Sequence, residues 1–312
     1  MIVCHVGPDG DCLGSGLALG WALRALGVAA TVASADGVPA SLSFLPGAAE
    51  VVTGVAQDVV ADVAVTMECS TLDRAGRLED AVRRARTIVA IDHHADLEPY
   101  AHLTDWDRTA AAVGEMVADL IARLGVRVDR TIALCLQTAL VTDTGVFRYA
   151  NTTPRVLRLA ADLAEAGAPV FEVVRHVYEQ QPASALRLLG QALNGLTLHH
   201  DGAVAVTAIT PDMLGATGAS RDDVSGIAAL LRTIAGVRLA MTFEADGDVI
   251  RVSLRSRDGV RADRIARALG GGGHPAAAGA DVPGSLDETM RRALALAAEE
   301  IEAVRDDEPP SA

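Results

Sequence analysis

The sequence predicts an α/β protein of two domains, an N-terminal domain around a parallel sheet and a smaller C-terminal domain of mixed α/β structure. The chain has 312 residues, about twice the commonest domain size. Up to about residue 168, short β-branched runs alternate with helical stretches, which is typical of strand–helix–strand units. After Pro182 this pattern changes to hairpins. We therefore predict domains over residues 1–182 and 183–304, and a disordered tail over 305–312.

The composition excludes several classes of protein. Half of the residues are hydrophobic and only 3% are aromatic, which excludes a disordered chain. No apolar run approaches the roughly 18 to 20 residues of a membrane span, and the start lacks a signal stretch. The net charge of −14 argues against long nucleic acid on a broad basic face. We expect a cytoplasmic protein without membrane contact, for which a small anionic substrate held by local cations stays open.

Elements of the first domain follow from strand propensity and helix capping. Ser15 is interpreted as the N-cap of the first helix, and Gly27 as the glycine that ends it. Thr153 and Pro154 begin a later helix, which Gly167 ends. The predicted strands are Ile2–Val6, Ala30–Ala33, Val63–Met67 and Thr87–Ile91.

The second domain is predicted to contain two hairpins with Asp-Gly turns and a final helix at Leu286–Val304. The paired segments are Leu196–His200 with Ala203–Ile209, and Val237–Glu244 with Val249–Arg255. Antiparallel strands are therefore expected beside helices.

A glycine run, residues 270–273, precedes His274 in the second domain. Four glycines are costly inside a helix or strand, so they predict a loop at which the backbone approaches something closely. With a helix beginning near Pro275, the free amides would form an anion-binding nest. Arg255 and His274 are predicted to face a phosphate there.

Acidic and imidazole side chains follow the predicted strands of the first domain. In an open parallel sheet the carboxyl ends of the strands share one edge, where ligands bind. A single Asp after a strand is more often a cap or turn residue, but an ordered set at one edge favours a site. The set is His5, Asp9 and Asp11 after the first strand, Glu68 after the third, Asp92, His93 and His94 after the fourth, and Asp143 after a later apolar segment.

Carboxylates that converge at one edge repel each other by about 4 kcal/mol per close pair at an effective dielectric constant near 20. Bound cations remove this repulsion. Oxygen and imidazole ligands without thiolates suit Mn²⁺ or Mg²⁺. A carboxylate that bridges two ions about 3.5–4 Å apart is a common arrangement for hydrolysis of phosphate esters.

Four motifs resemble those of the DHH phosphoesterases. Residues 5–15 are similar to the HxxPDxDxxGS opening of that family, and Asp92, His93 and His94 form the tripeptide that names it. Residues 142–149 are similar to its TDTGxFRY segment, and residues 270–274 to the GGGH signature of the DHH-associated domain. The motifs occur in the family's order and extend over nearly the whole chain.

The resemblance implies a metal-dependent phosphoesterase with its active site in the cleft between the two domains. The length of the chain and its second domain point to one branch of the family, the nanoRNA-degrading oligoribonucleases and pAp phosphatases. These enzymes act on short RNA, pAp and pApA. One alternative is a cyclic di-AMP phosphodiesterase in nucleotide signalling, and another is a nucleotide-binding sensor that has lost turnover. The resemblance also allows a homodimer, although nothing in the sequence decides the oligomeric state.

The same resemblance implies a role for each site residue. Two divalent ions are expected, Mn²⁺ in preference to Mg²⁺. His5 and Asp9 would hold one ion, Asp11, His93 and Asp143 the other, and Glu68 would bridge both. Asp92 would orient its neighbours, and His94 would contact the scissile phosphate. Arg255, Gly271, Gly272, Gly273 and His274 would bind the substrate's terminal phosphate or base.

Two features depart from the family pattern. Glu68 stands where the family has Asp, so an additional methylene must be accommodated at the bridging position. The chain also begins at its first strand, whereas relatives usually carry a preceding helix. Either this lineage lacks that helix or the native start lies upstream.

Overall fold

A computed structural model describes residues 1–94, 97–224 and 226–307 of the chain. It divides into two compact units, Met1–Gln180 and Gln181–Ala312. The first unit contains a parallel sheet and the second a mixed sheet, each with helices. The predicted α/β fold class is therefore confirmed.

The sheet of the first unit has five parallel strands in the order β2-β1-β3-β4-β5. All four predicted strands are present, although the first ends two residues earlier than predicted and the second begins two residues later. The fifth strand was missed because it lies at the sheet edge with all four residues exposed, so it lacks an alternating pattern. The strands are β1 (Ile2–Cys4), β2 (Val32–Ser34), β3 (Val63–Met67), β4 (Thr87–Asp92) and β5 (Leu103–Trp106).

Among the described residues, six α-helices accompany this sheet, and three of them carry most of the apolar core. Leu13, Leu136 and Val117, one residue from each of these three helices, are buried in a cluster with Met67 and Ile91 of the strands. The helices are α1 (Gly10–Ala25), α2 (Glu79–Arg83), α3 (Val113–Arg123), α4 (Arg130–Asp143), α5 (Pro154–Glu165) and α6 (Val170–Val177), with 3₁₀ turns at Ala40–Leu42, Ala48–Glu50 and Leu72–Leu78. Helices α1, α3 and α4 supply these core positions.

The start of α1 differs from the prediction. Asp9, not Ser15, is the N-cap, and its carboxylate accepts a hydrogen bond from the Cys12 amide at 3.0 Å. Ser15 lies inside the helix, where its hydroxyl donates to Asp11 at 2.9 Å. The Ser15 prediction was wrong because a carboxylate six residues earlier already caps the free amides. The Thr153 cap was correct, since its side chain accepts from the amide of Val156.

The second unit contains a six-stranded sheet in the order β10-β11-β9-β8-β7-β6. Among the strands that the structure describes here, only β7 and β8 are parallel neighbours, and both predicted hairpins are present. The strands are β6 (Thr197–His199), β7 (Val204–Ile209), β8 (Leu239–Asp246), β9 (Val249–Ser256), β10 (Gly272–His274) and β11 (Ala277–Pro283). The helices are α7 (Ala183–Asn194), α8 (Pro211–Thr217), α9 (Ile227–Leu231), α10 (Ala262–Ala268) and α11 (Leu286–Asp307), with a 3₁₀ turn at Arg221–Val224.

The glycine run forms part of this sheet, so its prediction as a loop was wrong. Gly272 and Gly273 belong to β10, and the segment after Pro275 enters β11 rather than a helix. A Cβ at Gly273 would lie 2.7 Å from the Ala278 Cα. A Cβ at Gly271 would lie 2.1 Å from the carbonyl oxygen of Gly279. The backbone of these glycines does lie close to another group, which is the neighbouring strand β11.

The last helix, α11, extends to Asp307, three residues beyond the predicted end at Val304. Residues 308–312 of the predicted tail lie outside the described residues. Within the described part of the chain, no helix combines the length and the apolar character that crossing a bilayer requires.

The contact between α1 and α4 depends on Gly14. A Cβ at this position would lie 2.4 Å from the Cys135 carbonyl oxygen, so the two helices would have to separate. We expect Gly14→Ala to lower the free energy of unfolding by about 1–3 kcal/mol or more, measured by urea denaturation followed by circular dichroism. Gly190→Ala is the control, because a Cβ added at that exposed helical glycine would meet nothing within 4 Å. It should stabilise by about 0.5–1 kcal/mol, and similar effects of both substitutions would contradict this account.

Candidate metal centre

The parallel strands bring the predicted side chains to one edge of the first sheet. His5, Glu68 and His93 each follow directly on β1, β3 and β4. The first turn of α1 adds Asp11, and the last residue of α4 is Asp143. Because parallel strands end at a common edge, residues 138 positions apart in sequence meet there.

These side chains form three groups whose potential ligand atoms lie within 4.8 Å of one another. One group is His5, Asp9 and Glu68, in which His5 Nε2 lies 3.9 Å from Asp9 Oδ1 and 3.8 Å from Glu68 Oε2. The structure thus places Glu68 beside both residues expected at the first ion.

The second group is Asp11, His93 and Asp143, with His93 Nε2 at 3.8 Å from Asp143 Oδ2. Glu68, His93 and His94 form the third. The three groups are connected by shared residues. Glu68 belongs to the first and third groups, and His93 belongs to the second and third. Each of the six residues that the sequence assigns to the metals therefore belongs to at least one of the three groups.

Hydrogen bonds at the second nitrogen of each ring fix the imidazoles. His93 Nδ1 lies 3.1 Å from the carbonyl oxygen of Ala110, and His5 Nδ1 lies 2.8 Å from that of Val6. Because a carbonyl can only accept, the contact of His93 favours the proton on its Nδ1 and leaves its Nε2 as an acceptor. The Arg74 guanidinium, which can only donate, lies 3.2 Å from His5 Nδ1, so this nitrogen has both an acceptor and a donor beside it.

Asp11 is held by the beginning of α3. Its carboxylate is fully buried and accepts from the amides of Val113 at 2.6 Å and Gly114 at 2.9 Å, in addition to the Ser15 hydroxyl. The positive end of the helix dipole stabilises a negative charge at this point. Asp11 is thus held in one orientation although it is surrounded by protein.

Glu68 shows the clearest sign of a missing partner. Its side chain is 3% exposed, and its Oε1 has no hydrogen-bond partner among the described residues. Burial raises the pKa of Glu68 well above its usual range, and the charges of Asp11 and Asp9 raise it further. Its backbone has φ of 54°, in the left-handed region that non-glycine residues rarely occupy. A cation would satisfy the orphaned oxygen and remove the repulsion.

The same electrostatic conflict affects the second group. Burial raises the pKa of Asp143 to about 8, and the carboxylate of Asp11 contributes. Burial alone would lower the pKa of His93, but Asp11 and Asp143 raise it overall. Carboxylate and imidazole donors crowded in this way fit divalent cations such as Mn²⁺ or Mg²⁺.

Asp92 and His94 form a pair beside the groups. The buried Asp92 Oδ1 accepts from the amide of His94 at 2.7 Å and from its Nδ1 at 2.6 Å. Burial alone would raise the pKa of Asp92, but the hydrogen bond and charge of His94 lower it. Asp92 therefore stays a carboxylate and fixes the orientation of the His94 ring.

The three cysteines near these residues are buried. Cys12 Sγ donates to the Met67 carbonyl at 3.3 Å, and Cys4 Sγ to the Cys12 carbonyl at 3.5 Å. Burial raises the pKa of the Cys12 and Cys69 thiols well above the usual range. Cys12 and Cys69 are therefore neutral thiols behind the centre.

The residues predicted to bind substrate in the second unit lie on neighbouring strands. Arg255 of β9 pairs in register with Ala277 of β11, which pairs with His274 of β10. Arg255 is half-buried, and its Nη1 donates to the Leu254 carbonyl at 2.9 Å. The side chain of His274 lies outside what the structure describes.

Sequence reasoning missed several groups that hold the centre. The Ala110 carbonyl and the amides at the start of α3 are backbone groups, which no residue type reveals. Trp106 was also missed, although its indole Nε1 donates to the carbonyl of His94 at 2.7 Å. Its signal, a lone aromatic in a short polar run, becomes meaningful only once β5 is known to lie beside β4.

Comparison with known proteins agrees with the motifs. Residues 1–140 match the model of the DHH family N-terminal domain, and residues 201–303 match the DHHA1 domain. The bifunctional oligoribonuclease and PAP phosphatase NrnA of Thermus thermophilus is 38% identical over 301 residues, which cover 96% of this chain and 89% of that protein. The Bacillus subtilis protein of the same name is 30% identical over 290 residues, 92% of this chain and 90% of that protein.

A solved structure is similar over almost the same extent. An exopolyphosphatase-related protein from Bacteroides fragilis superposes with a TM-score of 0.92 at 25% identity, covering 97% of this chain and 93% of that chain. The resemblance inferred from the four motifs is thereby confirmed, and the chain belongs to the DHH family of phosphoesterases, with a DHHA1 domain in its second half.

Proposed function

We propose that this protein is a metal-dependent phosphoesterase that hydrolyses short oligoribonucleotides and 3′-phosphoadenosine 5′-phosphate (pAp). One observation carries the proposal: carboxylates and imidazoles converge at one sheet edge around Glu68, whose buried Oε1 lacks a partner among the described residues. Two relatives named oligoribonuclease and PAP phosphatase support this choice of substrates.

The groups described above would hold two divalent cations, for which we propose Mn²⁺ in preference to Mg²⁺. When bound, such ions supply Lewis-acid stabilisation of phosphoryl oxygens and make a water molecule acidic enough to attack phosphorus. Glu68 would serve both ions. The first would also be held by His5 and Asp9, and the second by Asp11, His93 and Asp143.

His94 and Asp92 complete the chemistry from the protein's side. Asp92 accepts the Nδ1 proton of His94 and so orients the ring. A donor held in this way stabilises the charge that develops on a phosphoryl oxygen. His94 thus contacts the scissile phosphate, and Asp92 orients it.

The second domain would hold the far end of the nucleotide. Arg255 supplies a cation, and the amides near Gly271, Gly272 and Gly273 supply donors beside His274. A net charge of −14 argues against binding of a long polymer, so we expect pAp, pApA or RNA of two to five nucleotides as substrates. Placement of the active site in a cleft between domains, cytoplasmic location and a homodimer stay predictions.

The central experiment is a substrate panel of pAp, pApA, cyclic di-AMP and five-nucleotide RNA, each assayed with Mn²⁺. We expect turnover of pAp and short RNA, its loss in excess chelator, and better recovery with Mn²⁺ than with Ca²⁺, which prefers more ligands and longer distances. Product formation is followed by chromatography.

The panel also separates the alternatives. Preference for cyclic di-AMP would replace the proposed substrates by the signalling alternative. Binding of nucleotides without any turnover would indicate a sensor. Full activity in excess chelator would exclude the metal-dependent mechanism altogether.

The role of the second domain is tested with Arg255→Ala. If Arg255 only holds the far end of the substrate, the variant should lower kcat/KM for pAp while its Mn²⁺ content stays at the wild-type value. Remote binding energy positions the reacting centre, so kcat can fall as KM rises.

The matched control is Arg251→Ala, four residues earlier on the same face of β9, where the exposed Arg251 pairs with Asp281. It should leave kcat/KM unchanged. Loss of bound Mn²⁺ in Arg255→Ala, or equal kinetic effects of both substitutions, would show that Arg255 has another role.

A further inference from the structure

The segment from β5 to α3 surrounds the metal centre on the side of the DHH tripeptide. The Asp107 amide donates to the Asp92 carbonyl at 3.2 Å, and the carbonyl of Ala110 contacts His93. Trp106, in register with Asp92, donates its indole N–H to the carbonyl of His94. This segment therefore supports the reactive residues and also places an aromatic ring next to them.

The Trp106 ring is exposed to solvent although it lies beside His94. It is 46% exposed in a chain with 3% aromatic residues and two tryptophans. Its hydrogen bond to His94 fixes one edge of the indole, so a rigid aromatic face can be presented at low entropic cost. The metal centre described above does not require this face of the ring to be exposed.

A cation accompanies this ring. The guanidinium carbon of Arg108 lies 5.9 Å from the Trp106 ring centroid, and among the described residues no carboxylate pairs with it. Trp21 offers a comparison, since Arg24 lies 5.1 Å from its centroid but is neutralised by Glu50 at 2.7 Å. Of these two arginines, only the one beside the metal centre keeps its charge available to an anion.

At a phosphoesterase site, an exposed aromatic ring and a cation without a carboxylate partner among the described residues match the base and the phosphate of a nucleotide. Aromatic side chains stack on bases with little preference between them, and arginine adds electrostatic and cation–π attraction. A purely apolar partner, such as a second copy on the β5 edge, would use the ring and the exposed Leu103 but would gain nothing from Arg108. The charge favours a nucleotide.

We propose that Trp106 is the stacking platform for the base of the nucleotide whose phosphate is hydrolysed, and that Arg108 faces a phosphate of the same nucleotide. The inference rests on the proposed function and adds a specificity to it. The enzyme requires a base next to the scissile phosphate but discriminates weakly between bases. Base-free phosphate esters are poor substrates.

The test compares Trp106→Leu with Trp106→Phe in the Mn²⁺-loaded enzyme, using pAp and its base-free analogue ribose 3,5-bisphosphate. Loss of one stacked base should lower kcat/KM for pAp roughly 5- to 150-fold in Trp106→Leu. The already slow reaction of ribose 3,5-bisphosphate should not change. Trp106→Phe should keep most of the activity toward pAp, because phenylalanine still stacks although it cannot donate to His94.

Other outcomes overturn the inference. Equal losses in both variants, extended to ribose 3,5-bisphosphate, would mean that Trp106 only positions His94 through its N–H. A shift of Trp106→Leu and Leu103→Ala alike from dimer to monomer in light scattering, with unchanged kinetics, would assign the ring to a contact between copies.

A binding measurement gives a readout that does not depend on turnover. In Trp21→Phe, Trp106 is the only tryptophan, and AMP should quench its fluorescence whereas ribose 5-phosphate should not. Equal responses to both ligands would contradict stacking. If wild-type enzyme fails to hydrolyse pAp, the proposed function is wrong. If it hydrolyses pAp and Trp106→Leu does so at the same rate, only the stacking inference is wrong.

Discussion

Crowding of acidic side chains at one sheet edge is the constraint on which the rest of the structure depends. Asp11 and Glu68 are buried, and Asp143 and the exposed Asp9 lie close to them. Without cations the protein must hold protons on some of these groups, as the raised pKa values of Glu68 and Asp143 indicate. Divalent ions coordinated by these carboxylates would remove the repulsion. We therefore regard the site primarily as a metal centre and secondarily as a nucleotide site.

The scaffold around the centre consists of groups that hold each ligand from behind. Asp11 is fixed by the amides of α3, and His93 and His5 by backbone carbonyls. Asp9 has two tasks, because it caps α1 and also faces His5. Close packing of α1 on α4 at Gly14 brings Asp143 to the same place. Small shifts in these helices are therefore expected to change metal geometry.

Much of this could be predicted from the sequence, and the failures have physical causes. Strand ends and the ordered acidic motifs located the centre because sheet polarity places those ends together. The Ser15 cap was wrong since an earlier carboxylate competes for the same amides. Gly272 was assigned to a loop because propensity disfavours glycine in strands, whereas the close contact of its neighbours Gly271 and Gly273 with β11 requires glycine there. The edge strand β5 escaped detection, and with it Trp106.

The role of Glu68 as a ligand of two metal ions is tested most directly by counting the Mn²⁺ ions bound per chain and measuring turnover. Both are compared among the wild type, Glu68→Gln and Glu68→Asp. We expect two ions in the wild type. In Glu68→Gln we expect loss of at least one ion and a fall in turnover by orders of magnitude. Glu68→Asp should also lose activity, because its carboxylate ends one methylene short of a centre adapted to Glu68. An active Glu68→Gln enzyme with its full complement of metal would contradict the account, since Glu68 would then not be a ligand.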